Sequence, residues 1–213
     1  MNSQQRINDR ADKSAVSYAQ LLGADWQRLH PEIKQRFAQG HAETNVYQGI
    51  MRYVYCSPLG RLLAWLCQLW GNALTQRRGW RVPVRVTVSF DQQKIGMRWL
   101  REYYFAPNRA HQVQSTKRVI GEGLLVEDLG AGLCMHLVPR VADDALYFIS
   151  NGYSFSLFGR RYFLPKWLQP GETLVYQKAL RHQRFQFYFH LKHPWFGKLI
   201  AQSGIFCAQN TDD

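Results

Sequence analysis

Cysteine is scarce in this chain, and its four copies are scattered. Cys56, Cys67, Cys134 and Cys207 stand far apart, each among apolar neighbours. No CxxC pair and no Cys/His pair at zinc spacing occurs, so a metal site is not supported and each thiol reads as structural. Phosphate-cradling loops are missing too: neither G-x-G-x-x-G nor G-x-x-x-x-G-K is present, and no cofactor is expected. The nucleophile motif G-x-S-x-G and the metal motif H-E-x-x-H are absent as well. Seven histidines, among them His136, His190 and His193, therefore lack a partner motif. The acidic pairs Glu127-Asp128 and Asp143-Asp144 sit at strand ends and turns. Structural or surface roles suit them better than catalysis, so the chain reads as a non-enzymatic binder.

Long apolar runs are also lacking. The best, "PLGRLLAWLCQLWGNAL" (58–74), is broken by Arg61, Gln68 and Asn72 and falls short of the roughly 20 residues a membrane span requires. The opening "MNSQQRINDRADKS" is polar and has no apolar signal-peptide core. Residues 1–15 are expected to be a flexible polar leader, and a cytoplasmic location is expected. Acidic residues are few, 15 against 27 Lys+Arg, for a net charge of +12. The basic residues are dispersed with no block of five or more, which biases the protein toward anionic partners without a specific nucleic-acid footprint.

What is present is apolar and strand-like. Hydrophobic residues make up 46% and aromatics 14%, enough for a sizeable core. Trp26, Leu29, Ile33 and Phe37 recur at helical spacing, predicting a short helix, a break at Gly23 and a second helix over 31–38 that ends at Gly40. "TNVYQGIMRYVYC" (44–56) reads as a strand. The following "PLGRLLAWLCQLW" reads as an amphipathic helix gathering Leu59, Leu62, Leu63, Leu66, Leu69 and Trp70. Core packing explains that helix better than a membrane surface, since its polar face is poor in lysine. From residue 79 onward the pattern is β. "WRVPVRVTVSF" alternates Val82, Val84, Val86, Val88 and Phe90 with polar residues, the cleanest period of two in the chain.

About ten strands in one antiparallel meander need protected edges, and closure provides them. The expected fold is mainly β (α+β): a lipocalin-like curled sheet or barrel with two to three helices in the N-terminal third, one domain over 16–210. Phe185, Phe187, Phe189 and Leu191 form one apolar strand face, suited to a wall or an interior. Pro165, Pro170 and Gly171 suit a rigid corner, with Trp167 and Leu168 plugging a barrel end.

The stretch "GMRWLREYYF" (96–105) supplies the candidate site. As a strand it places Met97, Trp99, Arg101, Tyr103 and Phe105 on one face. A guanidinium in that apolar row requires an anion or water. Three partners are open: an internal carboxylate such as Glu122 or Glu127, solvent at a rim, or the head group of an amphiphilic anionic ligand. In the last case Arg101 is the anchor, Trp99, Tyr103 and Phe105 are walls, and the ligand is fatty-acyl-like.

Four segments carry a more specific signal: "LLGADWQRLHPEIKQRF" (21–37), "GEGLLVEDLGAGLCMHL" (121–137), "RRYFLPKWLQPGE" (160–172) and "HPWFGKLIAQSGIF" (193–206). In order and spacing the chain resembles a bacterial family of unknown function, domain-of-unknown-function family 4166 (DUF4166), over about residues 21–207. The resemblance implies no activity and no catalytic residues. It does imply an occasional association with a saccharopine-dehydrogenase-like nucleotide-binding domain. The alternative reading is thus an accessory or substrate-handling domain of an NAD(P)-dependent oxidoreductase system with a separate partner.

Overall fold

Alternating side chains build the wall of this molecule, and local helix geometry fills its ends. The computed structural model describes residues 18–38, 44–70, 73–120, 123–130, 132–158 and 160–209. The expected leader over 1–15, the helix end at Gly40 and the candidate partner Glu122 lie outside them. Helix α1 (Tyr18–Leu22) runs into a 3-10 helix (Gly23–Arg28), and α2 (Pro31–Ala38) follows. Strand β1 (Asn45–Cys56) leads to α3 (Pro58–Trp70). Then come β2 (Gly79–Asp91), β3 (Gly96–Ala106), β4 (Arg109–Ile120), β5 (Leu124–Gly130), β6 (Leu133–Ala142) and β7 (Ala145–Leu157). A short β8 (Arg160–Phe163), a 3-10 helix (Lys166–Leu168), β9 (Glu172–Leu180), β10 (Arg184–His193) and β11 (Gly197–Ala208) complete the described chain.

Ten of these strands close into an antiparallel barrel. Neighbours in sequence are neighbours in the ring, and β1 pairs with β11 to seal it. The fold is therefore predominantly β and lipocalin-like, as the period-two pattern predicts. Strand β8 stands outside the ring. It pairs with Ser154–Leu157 of β7, while β9 takes Ala145–Ile149 of the same strand. Sequence periodicity does not reveal β8, because it is four residues long and exposed throughout. The valines of β2 behave as their spacing predicts: Val82, Val84, Val86 and Val88 are all buried.

One end of the barrel is plugged. Tyr18, Leu29, Ile33 and Phe37 are buried there. The Phe37 ring lies 5.0 Å from Tyr18, 5.8 Å from Phe148 and 6.2 Å from Trp99. The helical spacing read from the sequence thus serves to insert a stripe into the barrel. Residues 79–80, the β3–β4 turn and the β7–β8 and β10–β11 hairpins lie at the opposite end, the mouth.

Helix α3 lies across the mouth. It begins against β11, where the Ser57 N–H donates to the Leu199 carbonyl at 2.7 Å, and it reaches β5, half-way round the ring. Gly60 permits the close approach: a Cβ there would meet the Leu199 carbonyl oxygen at 2.4 Å. The buried face is consequently Gly60, Ala64 and Cys67, with Leu63 and Leu66 half-buried. Leu59, Leu62 and Trp65 are exposed, so the inward stripe expected from the sequence is corrected: Leu59 and Leu62 do not belong to it. The side chains of Leu69 and Trp70 lie outside the described residues.

The proline corner holds in part. Gly171 has φ +118°, and a Cβ there would meet the Lys192 carbonyl oxygen at 2.3 Å, so only glycine fits. Trp167 is no plug, however: it is 71% exposed.

Candidate functional site

The strand interiors enclose a cavity of about 390 Å³ between the plug and α3. Its walls are chiefly apolar, with Met51, Met135, Phe148, Phe187, Phe189 and Leu191 among them. The β10 phenylalanine face read from the sequence lies on this wall. Leu63, Leu66 and Cys67 of α3 close it on the mouth side. Leu168 both lines the cavity and is 53% exposed, so the cavity runs up to the surface beside the 3-10 helix.

One charged cluster interrupts the apolar wall. In the β4–β5 register Lys117 stands directly opposite Glu127, and Trp99 on β3 stands opposite Ser115 on β4. Period-two alternation turns Arg101, Ser115, Lys117 and Glu127 inward together. The Lys117 Nζ lies 3.1 Å from Glu127 Oε2, and an Arg101 guanidinium nitrogen lies 3.6 Å from Glu127 Oε1. Arg101 also donates to the Ser115 hydroxyl at 3.2 Å, and that hydroxyl donates to Glu127 at 2.5 Å. Of the sequence-derived partners for Arg101, the internal carboxylate Glu127 is the one in place.

The charges in this cluster do not balance: two cations share one carboxylate. Burial alone pushes the Glu127 carboxyl up, but Lys117, Arg101 and the Ser115 hydroxyl together hold it below its ordinary range. Burial pushes Lys117 down, against the pull of Glu127, and Arg101 pushes it further down. The Lys117 ammonium stands 5.0 Å over the Trp99 ring. Trp99 Nε1–H is buried without a hydrogen-bond partner among the described residues. The cavity wall thus carries more donors and positive charge than the acceptors around it among the described residues match.

Other polar groups on the wall are satisfied internally. Tyr103 donates to Gln202 at 2.8 Å, and Tyr153 meets the Thr173 hydroxyl at 3.0 Å. Burial pushes the Tyr153 phenol up to about 12, so it stays neutral. On the plug side, Arg36 sits 3.2 Å over the Phe185 ring and donates to Gln177 at 3.0 Å. Burial lowers its pKa to about 10.

Of the four side chains singled out from the sequence, Trp99, Arg101 and Tyr103 line the cavity. Phe105 does not. The β3–β4 register shifts between Tyr103 and Ala106, and Phe105 stacks on Tyr103 at 5.8 Å with Arg77 over its ring. Phe105 keeps the inward side of the strand but packs on the core near the β3–β4 turn, beyond the cavity. Sequence reasoning missed Lys117 and Ser115, although "VQSTK" places Val113, Ser115 and Lys117 on one face by the same period of two. A histidine–serine pair also emerges: His136 Nε2 and Ser154 Oγ are 2.8 Å apart. Both are buried away from the cavity, with Phe163 edge-on at 5.3 Å to His136. That pair is a structural contact.

The fold and site define a class: a lipocalin-like barrel with an apolar interior and a small charged cluster within it. The chain belongs to the family described as "Domain of unknown function (DUF4166)", which matches residues 29–206. Comparison with curated proteins and with solved structures found no match. Among the described residues, no helix is long and apolar enough to cross a membrane.

Proposed function

We propose that the barrel is a binding module for an amphiphilic anionic ligand of fatty-acyl type. One observation carries this: an apolar cavity of about 390 Å³ whose wall bears two cations on a single carboxylate. That volume falls within the range of about 300–1,000 Å³ usual for small-molecule sites, which are apolar with a few placed polar groups. An acyl chain fills the apolar part. Its carboxylate neutralises the excess charge and accepts from Arg101, with the Trp99 indole N–H as a further donor.

The charge count makes this testable by mutation. Arg101→Met leaves Lys117 and Glu127 as a balanced pair, so the fold is expected to persist. Binding of a fluorescent fatty acid should weaken by about tenfold or more, the scale of a lost charge-assisted hydrogen bond, while its methyl ester should bind as before. Equal losses for acid and ester remove Arg101 as the anchor. Failure of the wild-type protein to bind either probe overturns the proposal.

A further inference from the structure

Exposed apolar side chains are distributed unevenly over this barrel. Seventeen large ones are exposed among the described residues, and thirteen of them cluster at the mouth end; only Ile50, Ile95, Leu124 and Ile205 lie elsewhere. Helix α3 presents Leu62 and Trp65 outward, each about half exposed. Phe158 at the tip of the β7–β8 hairpin is 95% exposed, and Trp195 at the tip of the β10–β11 hairpin is 76% exposed. Trp167, beside the cavity opening, completes the rim. A patch of this kind marks an interaction surface, because water disfavours so much grouped apolar area.

The charges around it narrow the partner. Arg61, Arg160, Arg161, Lys166, Lys192 and Lys198 are all exposed at the same end, where the acidic residues among those described are Glu172 and the half-buried Glu102, which accepts from Gln112. The plugged end instead mixes signs, with Asp91, Asp143 and Asp144 near Lys94, Arg181 and Arg184. Tryptophans and phenylalanines at protruding tips, ringed by cations, match the chemistry of a phospholipid interface with an anionic surface. Helix α3 is itself poor in lysine. The cations come from the neighbouring hairpins, which only the fold brings beside it.

We infer that the mouth end docks on the surface of an anionic phospholipid bilayer, with the hairpin tips and the outer face of α3 inserted at the interface. The inference rests on the outer surface and is independent of what fills the cavity. Docked this way, the opening beside Leu168 faces the lipid.

Flotation of the full chain with vesicles tests it. Vesicles with about one-third phosphatidylserine in phosphatidylcholine should bind the protein at least about tenfold more tightly than phosphatidylcholine alone, and added salt should weaken the binding. Arg160→Glu/Arg161→Glu should reduce binding by about fivefold or more for each cation lost, and Phe158→Ser/Trp195→Ser by at least about tenfold. Ile95→Ser/Leu124→Ser at the plugged end should leave it unchanged. Absence of binding to both vesicles overturns the inference. So does mouth-variant binding equal to wild type, or an equal loss in the plugged-end variant. Capture of an acidic protein by the same residues without vesicle binding overturns it in favour of a protein partner. Fatty-acid probe binding in vesicle-free buffer should survive the mouth substitutions, and vesicle binding should survive Arg101→Met. Failure of either proposal is thereby separable from failure of the other.

Discussion

At the plugged end, apolar side chains are swallowed: Ile33 is fully buried, and Tyr18 and Phe37 pack on Phe148 inside the barrel. At the mouth, α3 carries apolar residues on both faces, one on the cavity and the other bare. Both ends are covered by helices, yet one cover is a core and the other is a surface. The contrast teaches that a helix covering a barrel need not be part of its core. What separates the two is which face finds a partner. The stripe of α2 meets aromatic rings of the strands, whereas the Leu62–Trp65 side of α3 stays about half exposed.

Substitutions at graded positions sharpen this contrast. The largest effect is expected in the charged cluster beside the plug. Glu127→Gln strands the buried Lys117 and the half-buried Arg101 and should cost about 3–5 kcal/mol, read by urea unfolding at neutral pH. A variant as stable as wild type removes the cluster as a structural element. The same residue sets an acid limb. Because its folded pKa lies below its unfolded value, its stabilising contribution is present above the ordinary glutamate range and fades as pH falls through the depressed value. Glu127→Gln should flatten that limb of the stability–pH curve.

Next comes the plug, where Ile33→Ala should cost about 2–5 kcal/mol, since the residue is sealed on all sides. Leu62→Ser on the outer face of α3 should change stability by no more than about 0.5 kcal/mol. Comparable costs for these two would erase the distinction between core cover and surface cover.

Much of the wall was legible in advance because alternation is local. The valines of β2, the phenylalanines of β10 and the inward run Trp99–Arg101–Tyr103 follow from a period of two that tertiary contacts did not disturb. The plug stripe Leu29–Ile33–Phe37 follows likewise from helical spacing. Where local order broke, the reading broke with it. Trp167 turned outward from its corner and β8 was too short to show a period, while Phe105 kept its side of the strand but packs beyond the cavity.

By itself the sequence determined strand count to within one, the antiparallel meander, the N-terminal helices and the oddity of an arginine among aromatics. Those rest on spacing along a few residues. The tertiary structure alone decided that Glu127 answers Arg101, that Lys117 makes their charges unequal, and that α3 shows Leu62 and Trp65 to solvent. Charge pairing across strands depends on register, which is set by turns far from the paired residues. Helical spacing fixes which side chains of α3 share a face, but that helix is apolar on two sides. Its orientation was settled only where Gly60 let the backbone approach Leu199.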